Sequence, residues 1–235
     1  MLKTVQLSKN FGKLKALDSV DVHLSRGQAV SLVGPNGSGK TTFLKCILGL
    51  VIPDSGQILL NEKPILQGWD YRKQVGYMPQ IGRYPENMKV RHVFDMIREL
   101  RGVGQPIDDD LMRTFEVKKF EDKAMRTLSG GTRQKVSACL AFLFDPSVLI
   151  LDEPTAGLDP LAAEILKEKI LFEKKKGKLI LITSHILNDL EEMTTDVLYI
   201  MEGKIKLFQP IDALKNDTGE TKLNRAIAQI MKTGA

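Results

Sequence analysis

The sequence has 235 residues, of which 43% are hydrophobic and 27% charged, and carries a formal net charge of +5. That balance excludes a disordered or fibrous chain, and the length lets it bury a core without disulfides or a structural metal. The excess of base is mild and forms no stripe, so no nucleic-acid partner is expected.

In chain order, the first ten residues, MLKTVQLSKN, lack the apolar region of a signal peptide, and no later apolar run approaches the roughly 20 residues that span a bilayer. The expectation is a chain on the cytoplasmic side, with any membrane span supplied by another subunit. Apolar and polar residues alternate over 20–25, as on a half-buried antiparallel strand. A second such strand is expected at 57–60, after the turn-like Pro53-Asp54-Ser55-Gly56. A different kind of strand, apolar throughout, is expected at 29–33, 148–151, 179–182 and 197–201, as in a parallel sheet covered on both faces.

Helices are expected at 41–50 and at 160–175. The second has Asp159 placed as N-cap and Pro160 at the first helical position. Its end carries Lys174, Lys175 and Lys176 before Gly177, an ordinary stop signal. Between about 85 and 145 the pattern is helical, with candidates at 90–100, 109–115 and 131–144. This reads as a helical lobe inserted into an α/β core. Residues after about 217 read as a polar, mildly amphipathic tail. Cys46 and Cys139 sit among apolar neighbours and are expected to be buried free thiols.

Gly34-Pro35-Asn36-Gly37-Ser38-Gly39-Lys40-Thr41, followed by Thr42, matches the G-x-x-x-x-G-K-[ST] phosphate-binding loop. A triphosphate needs many donors close together. Glycine lets backbone N–H groups approach it, and the following helix N-terminus adds unpaired N–H groups and a favourable dipole. Lys40 is the candidate for the β- and γ-phosphates, and the Thr41 hydroxyl for Mg²⁺. About 110 residues downstream, the apolar run 148–151 delivers Asp152 and Glu153 to a strand tip, where open α/β sheets bind ligands. Asp152 is placed to hold Mg²⁺, and Glu153 to orient and deprotonate an attacking water.

A phosphate loop alone fits many enzymes. Leu128-Ser129-Gly130-Gly131-Thr132-Arg133-Gln134, shortly before the acidic strand, resembles the signature of the ABC (ATP-binding cassette) family. That resemblance implies an α/β P-loop NTPase with a RecA-like parallel-sheet core, a small antiparallel β subdomain and an inserted helical subdomain. It covers nearly the whole chain: residues 1–217 as an ABC ATPase domain, with the helical subdomain at about 85–145, and 218–235 as a short C-terminal tail. It also implies ATP and Mg²⁺ as ligands and a dimer in which Ser129, Gly130 and Gly131 contact the nucleotide of the other protomer. Gln80 resembles the Q-loop glutamine beside Mg²⁺ and the attacking water. Asp159 resembles the loop that crosses the dimer interface, His185 the switch histidine that bonds the γ-phosphate, and Phe11 the ring that stacks on adenine.

Each of these four residues alone has an ordinary reading, as a surface glutamine, a helix cap, a histidine after a strand or a core aromatic. Their order and spacing together set those readings aside. The family further implies a transmembrane permease as partner. Its contact is expected on the stretch 81–98, which begins with Ile81, ends with Arg98 and contains Arg83, Tyr84, Met88 and Phe94. The implied place is the cytoplasmic face of the membrane. Residues 151–160 look most like bacterial exporter-type cassettes, and a narrower resemblance is to the ATPase type that supports nitrous oxide reductase maturation and copper-site assembly. The methionines Met78, Met88, Met96, Met112 and Met125 read as core packing, not copper ligands. The alternative function is a soluble ABC ATPase driving an assembly process. A non-catalytic binding module would need a damaged site, and every required residue is present.

Overall fold

In the computed structural model, which describes residues 1–102, 104 and 106–233, two sheets carry the chain. The smaller is antiparallel, ordered β2-β1-β4-β5, from β1 (Leu2–Phe11), β2 (Leu14–Leu24), β4 (Ser55–Leu60) and β5 (Lys63–Pro64). The larger is ordered β10-β9-β3-β8-β7-β6. Its strands β3 (Ala29–Val33), β6 (Val75–Met78), β7 (Val148–Asp152), β8 (Leu179–Thr183) and β9 (Asp196–Met201) run parallel, and β10 (Lys204–Pro210) closes one edge antiparallel to β9. The helices are α1 (Lys40–Ile47), α2 (Val90–Arg101), α3 (Asp110–Thr114), α4 (Gly130–Phe142), α5 (Pro160–Lys175), α6 (Leu187–Met193), α7 (Ile211–Thr218) and α8 (Leu223–Thr233). Among the described residues, no helix is long and apolar enough to cross a membrane.

Strand chemistry explains the two sheets. Every residue of β3 and β8 is buried, because cores lie on both faces of the large sheet. Leu149, Leu151, Ile180 and Ile182 face a core shared with α2, α4, α5 and α8, while Val148, Ile150, Leu179 and Leu181 face one shared with α1 and the small sheet. The strand β2 instead alternates buried and exposed residues towards its end, as the patterning of 20–25 predicts. Helix α1 stops at Ile47, short of residue 50, because Gly49 turns left-handed at φ 64°. The Asp159 carboxylate caps α5 by accepting the Ala162 N–H at 2.9 Å, as expected. The segment 85–145 holds α2, α3 and α4, with one isolated bridge between Lys89 and Ala124.

Two expectations change. The strand β6 was not anticipated: it is four residues long and contains Gly76. A Cβ there would lie 2.0 Å from the Ala141 carbonyl oxygen of α4, so glycine is what lets that helix lie on the sheet. The segment expected as a polar tail contains α8, whose Leu223, Ala226 and Ile227 are buried in the same core as Leu190 and Met193 of α6. Cys46 and Cys139 are buried and free, and burial pushes the Cys46 thiol up to about 11.

One buried ionic cluster ties the helical lobe to the core. Glu173, 0% exposed, pairs with Lys169 and Lys176 at 3.3 Å each and with Lys178. Lys169 also reaches Asp108 at 2.7 Å and Asp110 at 3.2 Å, and Asp145 pairs with Lys178.

Candidate nucleotide site

Because β3 lies between β8 and β9, its carboxyl end opens at the middle of the large sheet, and residues 34–39 leave it there. The turn depends on glycine at two points in particular. Gly34 has φ 155°, and a Cβ on it would lie 2.1 Å from the Ile200 carbonyl oxygen. Gly39 caps α1 at φ 111°, where a Cβ would lie 2.5 Å from the Ala16 carbonyl oxygen. The loop therefore wraps against β9 and the small sheet on its way into α1.

A cleft of about 310 Å³ lies over this loop. Phe11, Asn36, Gly37, Ser38, Gly39, Lys40, Thr41, Thr42, Gln80, Asp152, Glu153 and His185 line it, together with Leu14, Ala16 and Thr183. The sequence-predicted residues are thus brought together from β1, the phosphate loop, the end of β6, the end of β7 and the end of β8. Gly34 and Pro35 support the loop from behind: the Lys40 ammonium donates to their carbonyl oxygens at 2.7 and 2.9 Å. Burial pushes that ammonium below its ordinary value, while the charges of Glu153 and Asp152 pull it back up. No carboxylate among the described residues pairs with it directly, which leaves a cation free for a phosphate. We expect Lys40→Ala to weaken ATP binding about 10- to 100-fold, the loss of one or two charge-assisted bonds, measured by titrating a fluorescent nucleotide.

The acidic wall is built with some strain. Glu153 sits at φ 54°, a left-handed conformation that costs a non-glycine residue about 1–3 kcal/mol. Its N–H is held by Thr183, to the carbonyl oxygen at 3.1 Å and to the hydroxyl at 3.2 Å. The same hydroxyl donates to Asp152. The Glu153 carboxylate accepts the His185 N–H at 3.1 Å and lies 3.4 Å from the His185 ring Nε2. Thr183 therefore fixes both acids, a role not anticipated from the sequence. The signal was present in the position of Thr183, a hydroxyl residue at the tip of an apolar strand beside the acidic one. At the other end, the Phe11 ring is half exposed, with the Lys9 ammonium 5.5 Å from its centroid, and offers a face for a flat base.

The donor set fits a magnesium nucleotide. Loop N–H groups, Lys40 and the α1 N-terminus suit phosphates, and the hard oxygens of Thr41, Asp152 and Gln80 suit Mg²⁺.

Ser129, Gly130, Gly131 and Asp159 are not in this cleft. Ser129 caps α4, its Oγ accepting the Thr132 N–H at 3.2 Å. The place a Cβ would take on Gly131 is 2.8 Å from the Gly157 carbonyl oxygen, and Asp159 pairs with Lys135 at 2.8 Å. These four residues thus form a second cluster, at the N-terminal part of α4 and the loop before α5.

A family model described as "ABC transporter" matches residues 17–156. An ABC transporter ATP-binding protein of Bacillus subtilis (strain 168), YhaQ, is 33% identical over 94% of this chain and 74% of its own length. The lantibiotic transport ATP-binding protein SrtF of Streptococcus pyogenes is 31% identical over 92% of this chain and 93% of its own. Among solved structures, an ATP-binding subunit of an ABC transporter superposes with a TM-score of 0.90 at 29% identity, covering 98% of this chain and 99% of that one.

Proposed function

From the premise that this chain belongs to the ABC transporter family, we propose how its residues divide the work. The chain is an ATP-binding and ATP-hydrolysing subunit whose cycle drives translocation through a separate transmembrane subunit. The observation that carries this is the single cleft in which Lys40, Thr41, Gln80, Asp152, Glu153 and His185 converge. Lys40 and the loop N–H groups bind the phosphates, and Phe11 stacks on the base. Mg²⁺, held by Thr41, Asp152 and Gln80, supplies charge neutralisation on the phosphate oxygens when bound. Glu153 takes a proton from the attacking water, and His185 steadies the terminal phosphate. Catalysis is mostly positioning and electrostatics, as in other phosphoryl transfers.

Ser129, Gly130, Gly131 and Asp159 act in trans, on the nucleotide of a second copy. Their place outside the cleft of their own chain supports this; the dimer we propose is a two-fold homodimer, with a pseudo-symmetric heterodimer of two such cassettes as the alternative. ATP closes that dimer and hydrolysis opens it.

The permease seat we place in an apolar groove of about 690 Å³. Leu50, Trp69, Arg72, Arg83, Tyr84, Ile97, Leu100 and Arg101 line it. The expected stretch 81–98 contributes only partly: Phe94 is 1% exposed and so not free to meet a partner, and Met88, half-buried against the core, is not among the groove residues. Trp69 and Leu100 are 72% and 74% exposed, a costly arrangement for a surface with no partner. Arg72 stacks on Trp69 at 4.4 Å, and no carboxylate of the described residues pairs with Arg72, Arg83 or Arg101. An apolar helix carrying acidic residues fits this surface, and seating it puts the chain on the cytoplasmic face of the membrane. The named relatives favour this over a soluble assembly ATPase.

The test is purification of the tagged protein from its native membranes in mild detergent. A multi-span protein should accompany it at near one-to-one stoichiometry. Trp69→Ala should weaken that association at least about 30-fold, as loss of an interface anchor does, while leaving nucleotide affinity unchanged. Soluble partners alone would defeat the transport assignment.

A further inference from the structure

Helix α6 begins two residues after His185 and is seven residues long, too short to hold its shape without tertiary support. Its supports lie on two sides. Towards the cleft, the Asp189 carboxylate accepts the Thr155 hydroxyl at 3.1 Å, and Thr155 is two residues past Glu153. Asp189 also pairs with Lys167 of α5 at 2.9 Å. Away from the cleft, Glu191 accepts the N–H of Leu223 at 2.8 Å, which opens α8, and pairs with Lys215 of α7. Leu190 and Met193 are wholly buried in the core that Leu223, Ala226 and Ile227 complete. Meanwhile the His185 side chain is 67% exposed, and its ring lies against Glu153. Glu153 meets the ring from the front, and α6, which starts two residues on, holds its backbone from behind.

We infer that α7 and α8 form the rear support of the switch-histidine segment, and that Glu191 is a positioning residue for hydrolysis acting through α6. This rests on the ATPase reading above. One carboxylate, with one oxygen towards each C-terminal helix, joins them to the helix that follows His185 and, through Asp189, to the loop that carries Glu153. Burial raises the Glu191 carboxyl, yet Lys215 and the Leu223 N–H outweigh it and hold the group below the usual range, so it is charged when it makes these bonds.

The test compares Glu191→Ala and Glu191→Gln with the unaltered full chain. Affinity for a fluorescent ATP analogue should stay within about twofold, because the phosphate loop is not touched. The alanine variant should lose kcat about tenfold, since small misplacements of catalytic groups are costly, with KM unchanged. Glutamine keeps an acceptor for the Leu223 N–H and should recover part of that loss. The chain has three histidines, so imidazole resonances give a reading independent of turnover: those of His185 should move in Glu191→Ala while those of His23 and His92 stay. Unchanged kcat, or a parallel fall in kcat and affinity with all three histidines perturbed, would overturn the inference. An unaltered chain that binds no ATP would instead defeat the ATPase reading itself.

Discussion

Glu153→Gln should bind ATP at least as tightly as the unaltered chain and hydrolyse it about 10²- to 10⁴-fold more slowly, the usual contribution of a general base. The amide matches the carboxylate in size and still accepts the His185 N–H, now 3.1 Å away. It cannot take a proton from water. Phosphate binding rests on Lys40 and the loop, which the change leaves alone, and one negative charge is removed from the neighbourhood of the phosphates. On the proposed cycle, in which hydrolysis opens the dimer, the variant should accumulate as a closed pair. Size-exclusion chromatography with and without Mg·ATP reads this directly, alongside a phosphate-release assay. A rate within tenfold of normal would remove Glu153 from the role of base.

Glu173→Ala should destabilise the fold by about 3 kcal/mol, the lower end of what breaking a buried ion pair costs. Glu173 is fully buried, and its removal leaves Lys169 and Lys178, 4% and 9% exposed at the side chain, with less counter-charge. Lys169 keeps Asp108 and Asp110, and Lys178 keeps Asp145, which holds the cost below that of a wholly orphaned charge. For a chain of this size, the melting temperature should fall by roughly 10 °C. Calorimetry tests this, and nucleotide affinity at low temperature should be retained. The Asp108, Asp145 and Glu173 oxygens lie within 4.8 Å of one another, but the lysines already neutralise them, so the cluster is structural.

The legible parts of this molecule were those where one residue type has one physical use. The glycines of 34–39, with Lys40 and Thr41, follow a run that is buried at every position and apolar at all but Ser31, and that sequence allows little besides a phosphate turn at a buried strand tip. Asp152 and Glu153 gained meaning only from that loop about 110 residues upstream, since an acidic pair after an apolar run is by itself a weak sign. What stayed hidden depended on the partner and not on the segment. The strand β6 is short and holds Gly76, whose purpose appears only when α4 lies on it. Positions 223, 226, 227 and 230 repeat at helical spacing, yet the polar residues between them read as a tail until the core beneath was seen. Likewise, helix α2 turns Phe94 inward and leaves Ile97 and Leu100 towards the groove, a choice of face that a linear stretch does not reveal.

The strand order has a consequence for how the molecule is made. The strand β3 leaves the ribosome early, but its neighbours in the sheet are β8 and β9, which start about 150 residues later, at Leu179 and Asp196. Until then, the five residues of β3, four of them apolar, and the glycine turn behind them have no sheet to join. The nascent chain must carry them unpaired through most of its synthesis, at a cost in exposure to aggregation. The turn proposed to grip phosphate is thus among the first parts to be translated and among the last to take its shape.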